Sequence, residues 1–287
     1  MPVLRINNYL DYYRLRAQSK DLHALAGRYD NTATTEFVNR TIWEKIAPGR
    51  ADVLLDIGCG DASLLKMAHG RVLECIGTTS TPEEKARLES ALPDLRFIVS
   101  TGQVLPLESG SVSKIVCNSV LLLIEDESDV RAALREMVRV ARTDATIWVG
   151  EIPTRDEAEY YGQYRGNSMF GFLRHLLRHQ GLRAFFGMIR RWLKAVVGTE
   201  QIILNAARGF CLEPERMIAL ARDCGLLLTT YSRHKELDAA GKVADSKFRY
   251  DYVFTRSETI PLPQNVTDAR CQPKTPSPPT LPRMAGT

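Results

Sequence analysis

The sequence predicts a doubly wound α/β fold with a mostly parallel sheet of seven strands. Short apolar runs typical of buried strands alternate along the chain with segments whose apolar residues repeat at helical spacing. One such strand ends in an acid and leads through a glycine pair into a helix, between Val53 and Ser63. At 287 residues, with 44% hydrophobic and 25% charged residues, the chain can bury one substantial core.

The predicted strands fall into two groups. Five are expected to be parallel, and the last two are expected to form a hairpin-like pair beside them. The parallel strands are predicted at 53–57, 71–77, 95–99, 114–118 and 145–151, and the pair at 226–231 and 248–255.

Three helices between the strands carry local signals. Thr81-Pro82-Glu83-Glu84 has the pattern of a capping box with proline at the first helical position. A second helix is predicted from a core-facing stripe, formed by Val130, Ala133, Leu134, Met137 and Val138. A third begins at Pro214 and ends before Gly225.

Composition divides the chain into three parts. Residues 1–48 are predicted to form an N-terminal helical cap over the sheet, ending at a Pro-Gly pair. Residues 49–256 form the main domain, which includes a helical lid insertion at 154–210. Residues 257–287 are rich in proline and poor in aromatic residues, so we expect a disordered tail.

Charge and cysteine usage exclude several classes of protein. The net charge of +4 is too small for a protein that binds nucleic acid through charge. The six cysteines form no CxxC pair and have no metal-ligand spacing, which predicts reduced thiols in a cytoplasmic chain without a metal site. The sequence contains no run of eighteen apolar residues that could span a bilayer.

The glycine pair after the first strand carries the main chemical signal. Gly58 and Gly60 let a ligand approach the backbone, which a Cβ would block. Dinucleotide-binding loops share this pattern, but they have a third glycine where this chain has Ser63. A nicotinamide-dependent oxidoreductase is therefore a weaker alternative.

Over roughly residues 25–151, the sequence resembles the class I S-adenosylmethionine-dependent methyltransferases of the type 11-like group. The resemblance rests on an ordered set of motifs rather than on any single one. They are Tyr29-Asp30, Asp56-Ile57-Gly58-Cys59-Gly60, Val104-Leu105-Pro106-Leu107, Ser109-Gly110-Ser111-Val112, the strand from Ile115 to Asn118, Leu121-Leu122-Leu123-Ile124, and Leu134 to Val140.

The resemblance implies a Rossmann-like methyltransferase fold and S-adenosyl-L-methionine as the cofactor. Asp56 would orient the loop and the amino-acid end of the cofactor, and Asn118 would face the sulfonium. The complete set of expected cofactor-binding residues is Tyr29, Asp56, Gly58, Cys59, Gly60, Thr79, Thr101, Gly102, Gln103 and Asn118.

The chain departs from the family where acids are usual, because Thr79, Thr101 and Ser113 stand at those positions. In the family, the acid that corresponds to Thr79 accepts hydrogen bonds from the ribose. Glu74 cannot replace it, since it lies on the order of 16 Å away at about 3.3 Å per strand residue. We therefore expect weak cofactor binding. The alternative is a methyltransferase-like binding or scaffold protein without catalysis.

Methyl transfer from a sulfonium depends more on the position of the reactants than on a nucleophilic side chain. If the acceptor is a hydroxyl, a general base is needed, and Glu151 at the end of the fifth predicted strand is our candidate. Glu151 and Asn118 are thus the expected catalytic residues. A simple cap at the strand end is the alternative role for Glu151.

Residues 160–198 contain seven Lys and Arg residues and no acid. Within this window Leu182, Phe185, Phe186, Ile189, Trp192, Leu193 and Val196 fall at helical spacing, with Arg183, Arg190, Arg191 and Lys194 opposite. Three roles remain open: a lid packed on the domain, binding to an anionic membrane surface through 170–197 at the inner membrane face, and recognition of a phosphate-like group. The expected acceptor is a small molecule, a lipid or a surface-glycan precursor.

Overall fold

A central sheet of seven strands organises the molecule. The computed structural model describes residues 3–6, 9–19, 21–26, 32–124, 126–156, 170, 173–174, 177–178, 181–197, 202–205, 210–237 and 241–257. The nine strands are β1 Val3–Ile6, β2 Val53–Ile57, β3 Glu74–Thr79, β4 Arg96–Val99, β5 Val112–Asn118, β6 Ala141–Pro153, β7 Ile202–Asn205, β8 Leu226–Leu237 and β9 Val243–Arg256, counted over these residues.

The strand order of the sheet is β4-β3-β2-β5-β6-β9-β8. The first five strands in this order are parallel, whereas β9 pairs antiparallel with β6 and β8 pairs antiparallel with β9. The order reverses on either side of β2, because β3 lies on one side and β5 on the other. This confirms the predicted doubly wound, mostly parallel sheet and its final hairpin-like pair.

Helices cover both faces of the sheet. Over the described residues these are α1 Tyr9–Ala17, α2 Thr32–Ile46, α3 Ser63–Ala68, α4 Pro82–Ala91, α5 Glu127–Val140, α6 Gly181–Val196 and α7 Pro214–Asp223, with 3₁₀ segments at Leu22–Ala26 and Leu121–Leu123. Apolar residues of α5 and α7 form one buried cluster with the sheet. Those of α2, α3 and α4 form the other. The core therefore lies in two layers, one on each face.

Strand β2 joins these two layers. All five of its residues are buried, which fits a central parallel strand covered on both faces. Leu55 packs in the cluster with α5 and α7, whereas its neighbour Leu54 packs in the cluster with α2 and α3. The strand thus holds its carboxyl end, at Asp56 and Ile57, in a fixed position between the layers.

The local helix signals correspond to observed structure. The capping box is present at α4, where the Thr81 side chain accepts from the Glu84 N–H and the Glu84 side chain accepts from the Thr81 N–H. All five residues of the predicted stripe on α5 are buried. Helix α7 begins at Pro214, and Gly225 follows its end with a φ of 97°. These local signals predict helix ends well because capping involves only neighbouring residues.

The N-terminal part differs from the prediction of a purely helical cap over 1–48. Residues Val3–Ile6 form strand β1, which pairs in parallel with β7 at Ile202–Asn205. The insertion predicted as helical over 154–210 therefore also contains a strand. Each strand has only four residues, so no periodicity reveals it, and the pairing joins segments that are distant in sequence. The predicted tail from residue 258 onward lies outside the described residues.

Candidate active site

The loop between β2 and α3 has an unusual backbone. Gly58 and Gly60 have φ values of 67° and 56°, and Ala62 has 58°. This left-handed region is favourable for glycine and uncommon for other residues. Strand β3 holds the loop, since the Gly58 N–H donates to Thr78 Oγ1 at 2.9 Å and the Cys59 N–H donates to Thr78 O at 3.0 Å.

Neighbouring parts of the chain lie directly against both glycines. A Cβ on Gly58 would overlap the Val120 side chain, and a Cβ on Gly60 would lie 3.0 Å from the Ala26 Cα. The sequence predicts that these glycines make room for a ligand. The structure adds a second reason for glycine, because Val120 and Ala26 take part of that room.

A cavity of about 410 Å³ opens at the carboxyl ends of the parallel strands. Open α/β sheets bind ligands at this edge, next to the point where the strand order reverses, and the volume suits a small-molecule ligand. Most of the predicted cofactor residues line the cavity, namely Asp56, Gly58, Cys59, Gly60, Thr79, Thr101, Gln103 and Asn118.

Two predicted residues, Gly102 and Glu151, do not line the cavity. Gly102 is buried below the loop, its N–H donates to Ser100 Oγ at 3.0 Å, and its φ of 92° suits a turn. Glu151 is buried and is not among the residues that line the cavity. Tyr29, like Asp30 beside it, lies outside the described residues.

The charge of the cavity has a single sign. Its lining includes five carboxylate side chains, and no Lys, Arg or His among the described residues; the five are Asp56, Asp61, Glu84, Asp126 and Asp129. Such a surface attracts cations and repels anions. A dinucleotide carries a negatively charged pyrophosphate, so the charge of this cavity disfavours the oxidoreductase alternative.

Asp56 is the most strongly perturbed of these acids. It is buried, and no hydrogen bond or ion pair reaches its carboxyl group from the described residues. Burial, together with the nearby charge of Asp61, raises the pKa of Asp56 from 3.8 to about 8. A buried carboxyl group with no partner among the described residues is suited to bind a positively charged ligand group.

Asn118 ends strand β5 at the edge of the cavity, and its amide has a fixed orientation. Trp148 Nε1 donates to Asn118 Oδ1 at 3.1 Å, and Asn118 Nδ2 donates to Glu151 Oε1 at 2.9 Å. A Cβ on Gly150 would overlap both Asn118 Oδ1 and Trp148 Nε1. Gly150 is therefore needed for this arrangement, and the sequence alone gives no sign of that requirement.

Glu151 lies behind Asn118 in a network of charged residues. It has a φ of 58°, an uncommon conformation for a residue with a side chain. Its N–H donates to Asp251 Oδ1 at 2.9 Å, and its Oε2 accepts from Arg249 at 2.8 Å. His234 lies 3.0 Å from Asp251 and 3.9 Å from Glu151. These interactions hold the Glu151 carboxylate in place and keep it away from the cavity.

Residues from the N-terminal part complete the cavity. Tyr9, Leu10 and Tyr13 of α1 line it, as do Leu25 and Ala26 of the first 3₁₀ segment. His23 Nδ1 lies 2.8 Å from Asp61 Oδ2, and Asp61 Oδ1 accepts from the Ser63 N–H at 3.0 Å. Asp61 thus connects the N-terminal segment to the glycine loop.

Sequence reasoning did not select these N-terminal residues or the acids Glu84, Asp126 and Asp129. Asp126 and Asp129 flank the start of α5, where acids are common for reasons of helix capping and dipole alone. Glu84 lies in the first turn of α4, where an acid is likewise expected for capping alone. No signal in the sequence separates a capping acid from one that also faces a cavity.

No group of three or more His, Cys, Asp or Glu residues in the described parts of the chain could hold a metal ion. The described helices also include none that is long and apolar enough to cross a membrane.

Residues 55–149 match the family model for a methyltransferase domain. No curated protein matches the chain. Among solved structures, an S-adenosylmethionine-dependent methyltransferase from Methanosarcina mazei is similar at 14% identity and a TM-score of 0.52, over 75% of this chain and 97% of that one.

Two further structures share the fold. The N-methyltransferase NodS of Bradyrhizobium japonicum, in complex with S-adenosyl-L-homocysteine, is similar at 14% identity and a TM-score of 0.54, over 88% of this chain and 100% of that one. The [4+2]-cyclase SpnF is similar at 13% identity and a TM-score of 0.53, over 88% and 98%. At these identities the likeness shows the fold alone.

The matched residues are thus similar to a methyltransferase domain, and the sheet has the fold that S-adenosylmethionine-dependent methyltransferases share. These findings support an enzyme that uses S-adenosylmethionine as its cofactor.

Proposed function

We propose that the acid-lined cavity binds S-adenosylmethionine and that the enzyme methylates an amphipathic acceptor, namely a lipid or a lipid-linked glycan precursor. The observation that carries the cofactor part is the set of five carboxylates without a cation in the described lining. S-adenosylmethionine is itself a cation, because its sulfonium and ammonium groups outweigh its carboxylate. Its charge therefore complements that of the cavity.

A hydrogen-bond acceptor atom in the cavity, which has no partner among the described residues, also suits this cofactor. Gln103 lines the cavity, and its Oε1 is buried without a hydrogen-bond partner in the described structure. A buried acceptor without a partner is unfavourable by about 1–3 kcal/mol. The adenine amino group is a donor that could satisfy it. We assign Gln103 to this role, next to Thr101, where the family usually has an acid.

When bound, the cofactor would supply a methyl group: the acceptor atom would bond to this carbon as the bond from carbon to sulfur breaks, the sulfur would leave as a neutral thioether, and the proton of the acceptor would pass to water. The side chains of the chain orient the reactants. Asn118 is our candidate for contact with the sulfonium, since two hydrogen bonds fix its amide at the cavity edge. Glu151 acts through Asn118 as a positioning residue, because Arg249 and Asn118 occupy its carboxylate.

The proposal for the acceptor rests on helix α6. Most of its predicted apolar stripe is exposed, including Leu182, Phe186, Trp192, Leu193 and Val196. This exposure disfavours the first alternative for the helix, a lid whose apolar stripe packs on the domain. The sequence of the helix is basic and has no acid, and Arg190 and Lys194 are exposed. An exposed apolar stripe beside basic residues suits the interface of an anionic membrane, where a lipid-linked acceptor would be found.

Vesicle flotation tests the membrane part. The unchanged protein should float with vesicles of phosphatidylglycerol and phosphatidylcholine and should not float with phosphatidylcholine alone. Replacement of Arg190 and Lys194 by glutamine should reduce flotation. The control replaces Lys66 of α3 and Arg222 of α7, two exposed residues, and removes the same charge. Equal flotation of both double variants would refute a specific role for α6 and favour a free small-molecule acceptor.

Titration calorimetry tests the cofactor part and the scaffold alternative together. We expect heat from S-adenosylmethionine and S-adenosylhomocysteine, and none from a nicotinamide dinucleotide. If neither sulfur nucleoside binds at millimolar concentration, the chain is a scaffold that has lost its cofactor site.

A further inference from the structure

The end of strand β3 lacks the carboxylate that the family resemblance leads one to expect there. Thr79 occupies this position, and its hydroxyl donates to Thr81 O at 3.2 Å. The hydroxyl is buried and neutral, so it cannot provide the charge-assisted acceptor that a carboxylate would. If the chain binds a nucleoside, another group must accept from its sugar hydroxyls.

Glu84 brings a carboxylate to the same part of the cavity. It is the third residue of α4, it is 5% exposed, and it lines the cavity together with Thr79 and Ser80. Only residues 80–83 separate it from the end of β3. Buried carboxylates are rare unless they are paired, so both oxygens of this one require an explanation.

Three hydrogen bonds of Glu84 reach the same one of its two oxygens. Oε2 accepts from Ser80 Oγ at 2.7 Å, from the Thr81 N–H at 2.9 Å and from Thr81 Oγ1 at 3.0 Å. None of these three bonds reaches Oε1. Burial raises the pKa of Glu84, and the bonds from Ser80 and Thr81 offset part of this effect. The capping role thus accounts for Oε2, while Glu84 as a residue also lines the cavity.

We propose that Glu84 is the acceptor for the sugar hydroxyls of the cofactor, with Oε1 taking the place of the missing strand-end acid. This inference rests on the proposed binding of S-adenosylmethionine in this cavity. Ser80 and Thr81 orient the carboxylate through Oε2 and leave the other oxygen for the ligand. The capping box of α4 therefore also forms part of the nucleoside site.

The variant Glu84→Gln separates the two roles of this residue. Glutamine at this position still completes a capping box, so α4 should keep its N-terminus. What changes is the charge and the acceptor strength of the group that faces the ligand. Glu83→Gln is the matched control, because Glu83 is the exposed neighbour in the same helical turn and loses the same charge.

Calorimetry with S-adenosylhomocysteine measures the effect on binding without any turnover. We expect the affinity of Glu84→Gln to fall about tenfold to a hundredfold, which is the range for one hydrogen bond to a charged group. Glu83→Gln should bind like the unchanged protein. The 2′-deoxy and 3′-deoxy forms of the ligand should bind the unchanged protein more weakly, but should lose little further affinity in Glu84→Gln.

Each outcome has a distinct meaning. If the unchanged protein binds the deoxy ligands as well as the parent, or if Glu84→Gln keeps full affinity, the role of Glu84 is refuted and the proposed function stands. If the unchanged protein does not bind S-adenosylhomocysteine, both proposals fail. The deoxy ligands test the unchanged protein directly, so the result does not depend on the folding of any variant.

Discussion

Asp56 shows how a binding residue can reduce the stability of the free protein. Its carboxyl group is buried and has no partner in the part of the chain that the structure describes, and its pKa rises from 3.8 to about 8. Between these pH values the unfolded chain has lost the proton that the folded chain retains. Rising pH over this window therefore favours unfolding. A cationic ligand group would stabilise the ionised form and so offset this cost.

We predict that Asp56→Asn stabilises the free protein and weakens ligand binding. The gain in melting temperature should be small at pH 5 and larger at pH 8. At pH 8 the gain in the free energy of unfolding should be a few kcal/mol, since each pKa unit corresponds to about 1.4 kcal/mol. The affinity for S-adenosylhomocysteine should fall at least tenfold, since a hydrogen bond to a charged group contributes about 1.5–3 kcal/mol. Thermal melts and calorimetry across pH measure both effects.

Asp52 provides a control of opposite sign. Although burial alone would raise the pKa of Asp52, hydrogen bonds from Gly49 and Ser113 hold it below its ordinary value. Asp52 therefore stabilises the fold above its unfolded pKa, and this contribution is lost as the pH falls. Asp52→Asn should destabilise the protein at neutral pH. A gain in stability in both variants would contradict the explanation based on burial of Asp56.

The residues of the site that lie next to a strand end were expected from the family resemblance of the sequence. Asp56, Thr79 and Asn118 were expected from the family resemblance, and all three line the cavity, where the parallel strands align their carboxyl ends. Glu84 and Gly150 were not predicted. Their roles depend on what packs against them in three dimensions, and neither a cap nor a lone glycine carries that information in sequence.

Among the elements, the first 3₁₀ segment has the closest connection to the glycine loop. Ala26 packs on Gly60, and His23 pairs with the buried Asp61. Leu25 of the same segment is 1% exposed. Because this segment also lines the cavity, its stability should control how long a ligand stays bound.

We predict that His23→Ala loosens this segment. The variant loses a hydrogen bond to a charged group, worth about 1.5–3 kcal/mol. Amide hydrogen exchange should increase over residues 9–26, and S-adenosylhomocysteine should dissociate faster. His69→Ala is the control, since His69 is exposed at the end of α3. Unchanged exchange in His23→Ala would show that the pair does not hold the segment.

Element boundaries follow the sequence where local signals exist. The observed β2 has the predicted bounds because an apolar run and an acid-glycine turn define it. Strand β8 extends beyond its prediction to Leu237, and its added residues are mostly exposed and polar. An edge strand with a solvated face has no apolar signature at that end. The pairing of β1 with β7 requires contacts between distant segments, which local patterns do not encode.

Acidic and basic side chains are concentrated in different parts of the molecule. Acids surround the cavity, whereas helix α6 is basic in sequence and contains no acid. The two regions should respond differently to salt, because exposed charges are screened over about 8 Å at physiological ionic strength and buried charges much less.

We predict that Asp126→Asn combined with Asp129→Asn reduces the affinity for S-adenosylmethionine more than that for S-adenosylhomocysteine. The reason is that only the former carries the sulfonium charge, and both acids are exposed at the cavity edge. The difference should shrink at high salt, as measured by calorimetry at two ionic strengths. Equal losses for the two ligands would show that these acids act through something other than charge.

The parallel pairing of Val3–Ile6 with Ile202–Asn205 has a consequence for how the protein is made. During synthesis, the leading segment cannot find its partner until most of the polypeptide has left the ribosome, and closing so large a loop is entropically slow. The sheet can assemble beforehand, because its strands are mostly joined by short connections. Nascent chains should thus acquire a protease-resistant centre before they gain the ability to retain a nucleoside.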